Sequence, residues 1–280
     1  MERQKELDLT GKVAVITGAS RGMGKQGALG LARRGVKVVI AARTVEPDAA
    51  LPGSLGETVR EIEALGSEAL AVQTDLAKVG DLERLVEAAV ERFGGVDILI
   101  NNAAVTTGDF WSRGFLQLTR EEWLYQFDVN THAPFTLMQL VTPIMEKRGG
   151  GRIINITTGS AEALRLTEEP RAPEAIGDFN LTVPGYFASK RAVDRLANVI
   201  ASELARMGVA VIGLHPGLVQ TELVDIRVKE EGLDNTTAVP MAVPARMMAY
   251  FAACEDPFEY TGRIFFAERE LADMGIELDG

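Results

Sequence analysis

Short continuous apolar runs rich in Val and Ile alternate along the chain with longer stretches of mixed polarity. The runs span 13–17, 36–42, 69–74, 98–100, 152–156 and 209–214, with a weaker one at 263–266. Because they are continuous rather than alternating, they predict strands covered on both faces, as in a parallel sheet. The intervening stretches predict helices over 24–34, 55–65, 78–93, 120–147 in two pieces, 185–207 and 244–254. Gly35, Gly66, Gly94, Gly149 and Gly208 each follow one of these, where a helix C-terminus wants a left-handed residue. Strand–helix alternation of this kind predicts a doubly wound α/β fold with right-handed crossovers. No repeat or linker interrupts it, so residues 1–280 read as a single domain. Two stretches break the rhythm, 162–184 and, after a short helical start, 222–240, and both are expected to be long surface loops of functional or mobile kind.

Composition narrows the chemistry. The 280 residues carry 29 Lys and Arg against 40 Asp and Glu, a net charge of −11. Phosphates would be repelled at long range, so neither nucleic acid nor an anionic membrane is an expected partner. No run reaches the roughly 18 apolar residues of a membrane helix, and the charged start of the chain does not read as a signal peptide, so a cytoplasmic location is expected. With 1 Cys (Cys254) and 2 His (His132 and His215), an intrachain disulfide is excluded, a thiolate metal cluster is not expected, and zinc chemistry finds few ligands. His215 reads as a strand-end residue held by a local hydrogen bond, and His132 as a packing residue. Acid–base work falls to other side chains.

The first strand runs into Thr17-Gly18-Ala19-Ser20-Arg21-Gly22-Met23-Gly24, with a helix following. Glycines let backbone approach a pyrophosphate closely, and the helix N-terminus offers free N–H groups and partial positive charge. The spacing Gly-x3-Gly-x-Gly differs from the commoner Gly-x-Gly-x2-Gly, and the nucleoside-triphosphate loop is out of register because Met23 stands where its second glycine belongs. Further along, in order, come Asn101-Asn102-Ala103-Ala104, Asn130, Tyr186-Phe187-Ala188-Ser189-Lys190 and Pro216-Gly217-Leu218-Val219-Gln220-Thr221. Together these resemble the short-chain dehydrogenase/reductase family over nearly the whole chain, from about residue 9 to 265.

The resemblance implies a three-layer Rossmann-type sheet of strand order 3-2-1-4-5-6-7, with a cofactor site across the carboxyl ends of the strands at the switch point. Gly18, Ser20, Arg21, Gly22, Met23 and Gly24 would cradle phosphates and adenosine ribose; Asp75 and Leu76 would meet the adenine. Asn102, Ala103 and Ala104 would line the ribose side, with Asn101 structural, and Pro216, Gly217, Val219 and Thr221 would hold the nicotinamide carboxamide. At the end of the second strand Ala42 replaces the acid that hydrogen-bonds the 2′-hydroxyl of NAD, and Arg43 follows. Arginine suits a 2′-phosphate, and Arg21 could reach the same group, so NADP is expected, with NAD the alternative.

Tyr186 and Lys190 are four apart and share one helix face. A phenol titrating near 10 is a poor acid–base group at neutral pH, and a cationic neighbour is expected to lower that value. The pair fits proton transfer during interconversion of a carbonyl and a secondary alcohol. The resemblance adds that Lys190 would also bind the nicotinamide ribose and that Asn130 would hold a water linking Lys190 to solvent. The family's carbonyl-polarising serine is replaced by Thr158, with Ser160 the fallback, and Thr158 and Tyr186 are separated by 27 residues (159–185), longer than usual. Substrate loops are expected at about 106–118, 160–185 and 222–240. Phe110, Trp111, Phe115 and Phe179 favour an apolar substrate. A homodimer or homotetramer through the two long helices is implied by resemblance, and segment 267–280 is left either to cap a neighbouring chain or to float free. A family member catalysing isomerisation, dehydration or epimerisation, and a non-enzymatic dinucleotide sensor, are the alternatives.

Overall fold

The apolar runs assemble at the centre of the molecule. A computed structural model describes residues 3–46, 52–105, 115–158, 184–231, 236 and 238–279. Strands β1 (Val13–Thr17), β2 (Lys37–Ala42), β3 (Ala69–Gln73), β4 (Ile98–Asn101), β5 (Gly151–Ile156), β6 (Val209–His215) and β9 (Ile264–Phe266) form one sheet in the order β3-β2-β1-β4-β5-β6-β9. Every pairing in it is parallel. That is the predicted topology, and its order reverses between β1 and β4, where a crevice opens at the carboxyl ends of the strands.

Alternate residues of each strand enter different cores. Ala14, Ile16, Val38, Ile40, Ile154 and Ile212 pack against one layer of helices: α1 (Gly22–Ala32), α2 (Leu55–Ala64) and α8 (Ala242–Ala253). Val13, Val15, Val39, Ile153 and Val211 face the other: α3 (Val79–Phe93), α5 (Ala133–Lys147) and α6 (Pro184–Arg206). Both faces are dry, which is why the strands carry no alternating polar residues. Gly35, Gly66, Gly94, Gly149 and Gly208 all adopt the left-handed φ expected after a helix.

The helical stretch 120–147 comes in the two expected pieces, α4 (Arg120–Phe127) and α5, joined by a π turn, Asp128–His132. The stretch 222–240 has its expected helical start, α7 (Glu222–Glu231). Elsewhere the structure departs from the sequence reading. His132 is not a packing residue: it is exposed and bonded through Nδ1 to Asp128 at 2.9 Å. Val219–Gln220 (β7) pairs with Val239–Pro240 (β8), a short ladder in a stretch read as loop. The C-terminal segment does not float free. It forms α9 (Ala267–Asp273) and folds back on its own chain, burying Met274 and Ile276. Asp279 there pairs with Arg34, just past α1, at 2.7 Å, and buried Arg246 of α8 donates to the carbonyl of Glu277 and pairs with Glu6.

Candidate active site

The β1–α1 junction is built from backbone. Gly18 has φ +69°, and its N–H donates to the Ala41 carbonyl at 2.7 Å. A Cβ on Gly18 would stand 2.8 Å from Ala103 Cα, and one on Gly24 would stand 2.4 Å from the Gly18 carbonyl oxygen, so neither position accepts a side chain. Buried Thr17 accepts from the N–H groups of Asn102 and Ala103 at 3.1 Å each. The Asn102 side chain returns the grip, its Nδ2 donating to the carbonyls of Thr17 at 2.9 Å and Gly18 at 3.1 Å. Ser20 is buried in the turn and Met23 packs against the core. α1 begins at Gly22 without a side-chain cap from Arg21 and without an acid in its own first turn, so its N-terminal N–H groups are offered to acceptors from outside the helix. A phosphate fits this junction by donor chemistry. Glu222 of α7 currently faces it, with Oε1 3.5 Å from the Gly22 nitrogen.

At the adenine end, Arg43 is exposed and donates to the Tyr125 hydroxyl at 3.0 Å. Arg21 does not point to the same place: its guanidinium donates to the carbonyls of Pro52 and Gly53 at 2.8 Å each. Asp75 closes a turn, accepting from the Ala77 N–H at 3.2 Å, and Leu76 packs against the core.

At the switch point, Asn101 donates to Asn155 Oδ1 across β4 and β5 at 2.8 Å, the structural role expected of it. The fully buried Asn130 lies in the π turn. Its side chain accepts from the Val105 N–H at 2.9 Å and donates to Ser189 at 3.0 Å, so the loop carrying Ala104 is tied to α6. A π turn displaces backbone carbonyls from the regular helical ladder, which suits it to functional positions. Ser189 in turn donates to the Tyr186 carbonyl at 2.9 Å.

Thr158, just past β5, stands close enough to Tyr186 for its side chain to pull the phenol pKa down. Lys190, one turn further along α6, is buried and donates from Nζ to the Ile156 carbonyl at 2.7 Å. Burial lowers its pKa to about 8, against an opposing pull from Asp194. Tyr186 departs from the expectation of a lowered phenol. Burial raises its pKa, the Thr158 side chain opposes that, and Lys190 is not among the causes. On the far side, β6 leads into Pro216-Gly217, where the Gly217 N–H donates to His215 Nδ1 at 3.0 Å, the local bond expected for that histidine. Val219 is buried in β7, and Thr221 accepts from the Val224 N–H at 3.3 Å in the first turn of α7. Ser160, Phe110, Trp111 and Phe179 lie outside the described residues; Phe115 is exposed.

A family model described as short chain dehydrogenase matches residues 12–167 and 177–232. The chain belongs to the short-chain dehydrogenase family. It is 34% identical to a 3-oxoacyl-[acyl-carrier-protein] reductase of Synechocystis sp. over 78% of each chain. Among solved structures, a 7α-hydroxysteroid dehydrogenase complexed with NADH and 7-oxo glycochenodeoxycholic acid superposes with TM-score 0.73 at 28% identity, covering 93% of this chain and 94% of that one. A metagenomic short-chain oxidoreductase in complex with NADP superposes with TM-score 0.70 at 28% identity, covering 93% and 97%. Like other short-chain dehydrogenases, the protein is therefore an oxidoreductase of small molecules. No helix among the described residues is long and apolar enough to cross a membrane, and no group of metal-ligating side chains occurs among them.

Sequence reasoning missed several residues that organise this short-chain dehydrogenase site. Tyr125 meets Arg43, Ser189 joins Asn130 to Tyr186, and Arg191 and Asp194 reach the end of β5. Polar residues on the buried face of α6, where Val193 and Ala197 pack, were the available signal.

Proposed function

We propose that this short-chain dehydrogenase interconverts a carbonyl and a secondary alcohol using a nicotinamide dinucleotide, with Tyr186 as the proton donor. The placing of Thr158 beside Tyr186, with Lys190 one helical turn away and bonded to the Ile156 carbonyl, carries this reading. A bound nicotinamide supplies or accepts the hydride. The Thr158 hydroxyl polarises the substrate oxygen and Tyr186 gives that oxygen its proton. Burial keeps the Tyr186 phenol protonated through neutral pH, which suits the acid role needed for carbonyl reduction. Lys190 holds the Ile156 carbonyl from beneath and binds the nicotinamide ribose. Asn130 fixes the loop after β4 and offers the π-turn backbone to a water that returns the proton. Gly18, Ser20, Gly22, Met23 and Gly24 hold the pyrophosphate side, Asp75 and Leu76 the adenine, Asn102, Ala103 and Ala104 the ribose, and Pro216, Gly217, Val219 and Thr221 the carboxamide.

Tyr186→Phe should lower kcat at least 100-fold and leave the NADPH Kd within about twofold, since proton transfer is lost and the ring is kept. Steady-state reduction of an acetoacetyl thioester and of a 7-oxo steroid, beside fluorescence titration of NADPH, checks this. Turnover surviving at wild-type rate would overturn the mechanism.

NADP is the favoured cofactor because Arg43 follows Ala42 at the end of β2. The described Arg21 geometry gives it a different task, holding the 52–53 backbone, so the case for a 2′-phosphate rests on Arg43. Arg43→Ala should weaken NADPH about tenfold and leave NADH unchanged; wild type binding NADH more tightly than NADPH would decide for NAD. A homodimer or homotetramer through α5 and α6 completes the proposal, since Phe135 and Val199 stand exposed on these helices.

A further inference from the structure

One helix holds three consecutive residues at the end of β5. Lys190 donates to the Ile156 carbonyl at 2.7 Å. Thr157 donates through Oγ1 to Asp194 Oδ2 at 2.6 Å. Arg191 donates from Nη1 to that same carboxylate oxygen at 2.8 Å, and from Nη2 to the Thr158 carbonyl. The Thr158 side chain meets Tyr186. The last strand pairing of β5 is Ile156 with Leu214, and the last backbone bond is from the Thr157 N–H to the Leu214 carbonyl at 2.9 Å. Thr158 is thus past the sheet, and what holds its backbone is the Arg191 guanidinium.

Asp194 is expensive where it stands. It is 8% exposed, between the packed residues Val193 and Ala197, and its Oδ1 is buried without a hydrogen-bond partner. Burial pushes its carboxyl up, against the pull of Thr157, Arg191 and Lys190. Apolar side chains would fill such a position at lower cost. The cost is understandable if the carboxylate has a task that packing alone cannot perform.

We propose that Arg191 and Asp194 are positioning residues that set the Thr158 hydroxyl against Tyr186. Asp194 fixes Thr157 and orients the Arg191 fork, and the fork fixes the Thr158 carbonyl. A rigid backbone at Thr158 leaves its β-branched side chain few rotamers, so the hydroxyl direction follows. The inference rests on the reading of Thr158 and Tyr186 as the reacting pair.

The test is a double-mutant cycle on NADPH-dependent reduction of an acetoacetyl thioester or a 7-oxo steroid, whichever the wild type reduces faster. Rates are normalised to NADPH-binding sites, so that misfolded enzyme does not count. Asp194→Asn and Arg191→Gln should each lower kcat about tenfold and leave the NADPH Kd within twofold. Each effect should shrink below twofold in a Thr158→Ala background, because a residue acting through Thr158 has nothing left to position. Arg191 is partly exposed, so its variant keeps the test open if Asp194→Asn fails to fold. Where Thr158→Ala is too slow to follow, deuterium uptake of a peptide covering the end of β5 replaces it, rising in both variants while β1 stays unchanged. Wild-type kcat in soluble variants, fully additive losses, or unchanged uptake would overturn the inference. If Tyr186→Phe and Thr158→Ala themselves retain turnover, it is the reading of the reacting pair that fails. If those two are inactive while Asp194→Asn and Arg191→Gln run normally, only the positioning role fails.

Discussion

Two strand-to-helix junctions meet at the crevice of this protein, and they are held in opposite ways. From β1 to α1 the chain turns within four residues (18–21), and the turn is kept by backbone hydrogen bonds, a left-handed Gly18 and the absence of a Cβ at Gly24. From β5 to α6 the chain takes 27 residues (157–183), and what aligns the two elements is a row of long side chains, Tyr186, Lys190, Arg191 and Asp194. In the proposed reading the first junction presents N–H groups to the pyrophosphate that NAD and NADP share. The second presents hydroxyls to a substrate that differs among relatives, and its geometry is set by side chains that point mutations can change one at a time. The comparison separates a fixed cofactor cradle from an adjustable chemical site, each fastened by means suited to its task.

Substitutions break the two junctions differently. The largest effect is expected at the first: Gly24→Ala would drive a methyl to 2.4 Å from backbone and cost about 3 kcal/mol, with loss of most NADPH binding. Urea unfolding and cofactor titration check it, and an alanine variant of wild-type stability would show that the cradle is less rigid than described.

At the second junction stability and activity should part company. The drop of the Lys190 pKa from 10.5 to about 8 places the full penalty for a buried charge, about 3 kcal/mol, at pH values below 8. Between pH 8 and 10.5 the unfolded chain binds the proton that the folded chain has released, so stability rises with pH over that window. Lys190→Met should therefore be more stable than wild type at pH 7, by about 1–2 kcal/mol after the lost bond to Ile156 is allowed for, and nearly inactive. Its advantage should fade by pH 10. Denaturant titrations at the two pH values measure this, and a variant less stable at pH 7 would contradict it.

The smallest effect sharpens the picture of the first junction. Glu222 faces the N-terminus of α1, where an incoming pyrophosphate also needs room. Glu222→Gln should tighten NADPH severalfold, more at low salt than at high, because a like charge is removed from a partly screened site. Unchanged affinity at both salt concentrations would mean that Glu222 swings clear without cost.

The contrast also explains what was legible in the sequence. The glycine turn could be read because its determinants are contiguous: one strand, three glycines and a helix start. So could the seven sheet strands, whose unbroken apolar runs have no alternative burial, and the five glycines that end helices. The π turn at 128–132 left no mark, because it differs from an α-helix by a shift in hydrogen bonding and not in residue type. The folding back of the C-terminal segment depends on Arg34, Arg246 and Asp279 coming together from three distant parts of the chain, which no local pattern announces. The direction of the Tyr186 pKa was misread for a related reason. Four-residue spacing put a cation on the same helix face, but in the folded protein that cation is turned to the Ile156 carbonyl, and burial dominates.

The sequence by itself determined the apolar strand runs, their alternation with helices, the glycine turn and the pairing of Tyr186 with Lys190, which follow from periodicity and spacing acting over a few residues in order along the chain. Asn130 and Thr158 became residues to look for through the resemblance to the short-chain dehydrogenase/reductase family. Only the tertiary structure decided that Arg21 serves the 52–53 backbone, that Arg43 reaches Tyr125, and that Arg191 and Asp194 close around Thr157 and Thr158. Those arrangements depend on which polar groups are left to satisfy one another once the apolar layers have closed, and that is settled across the fold rather than along it.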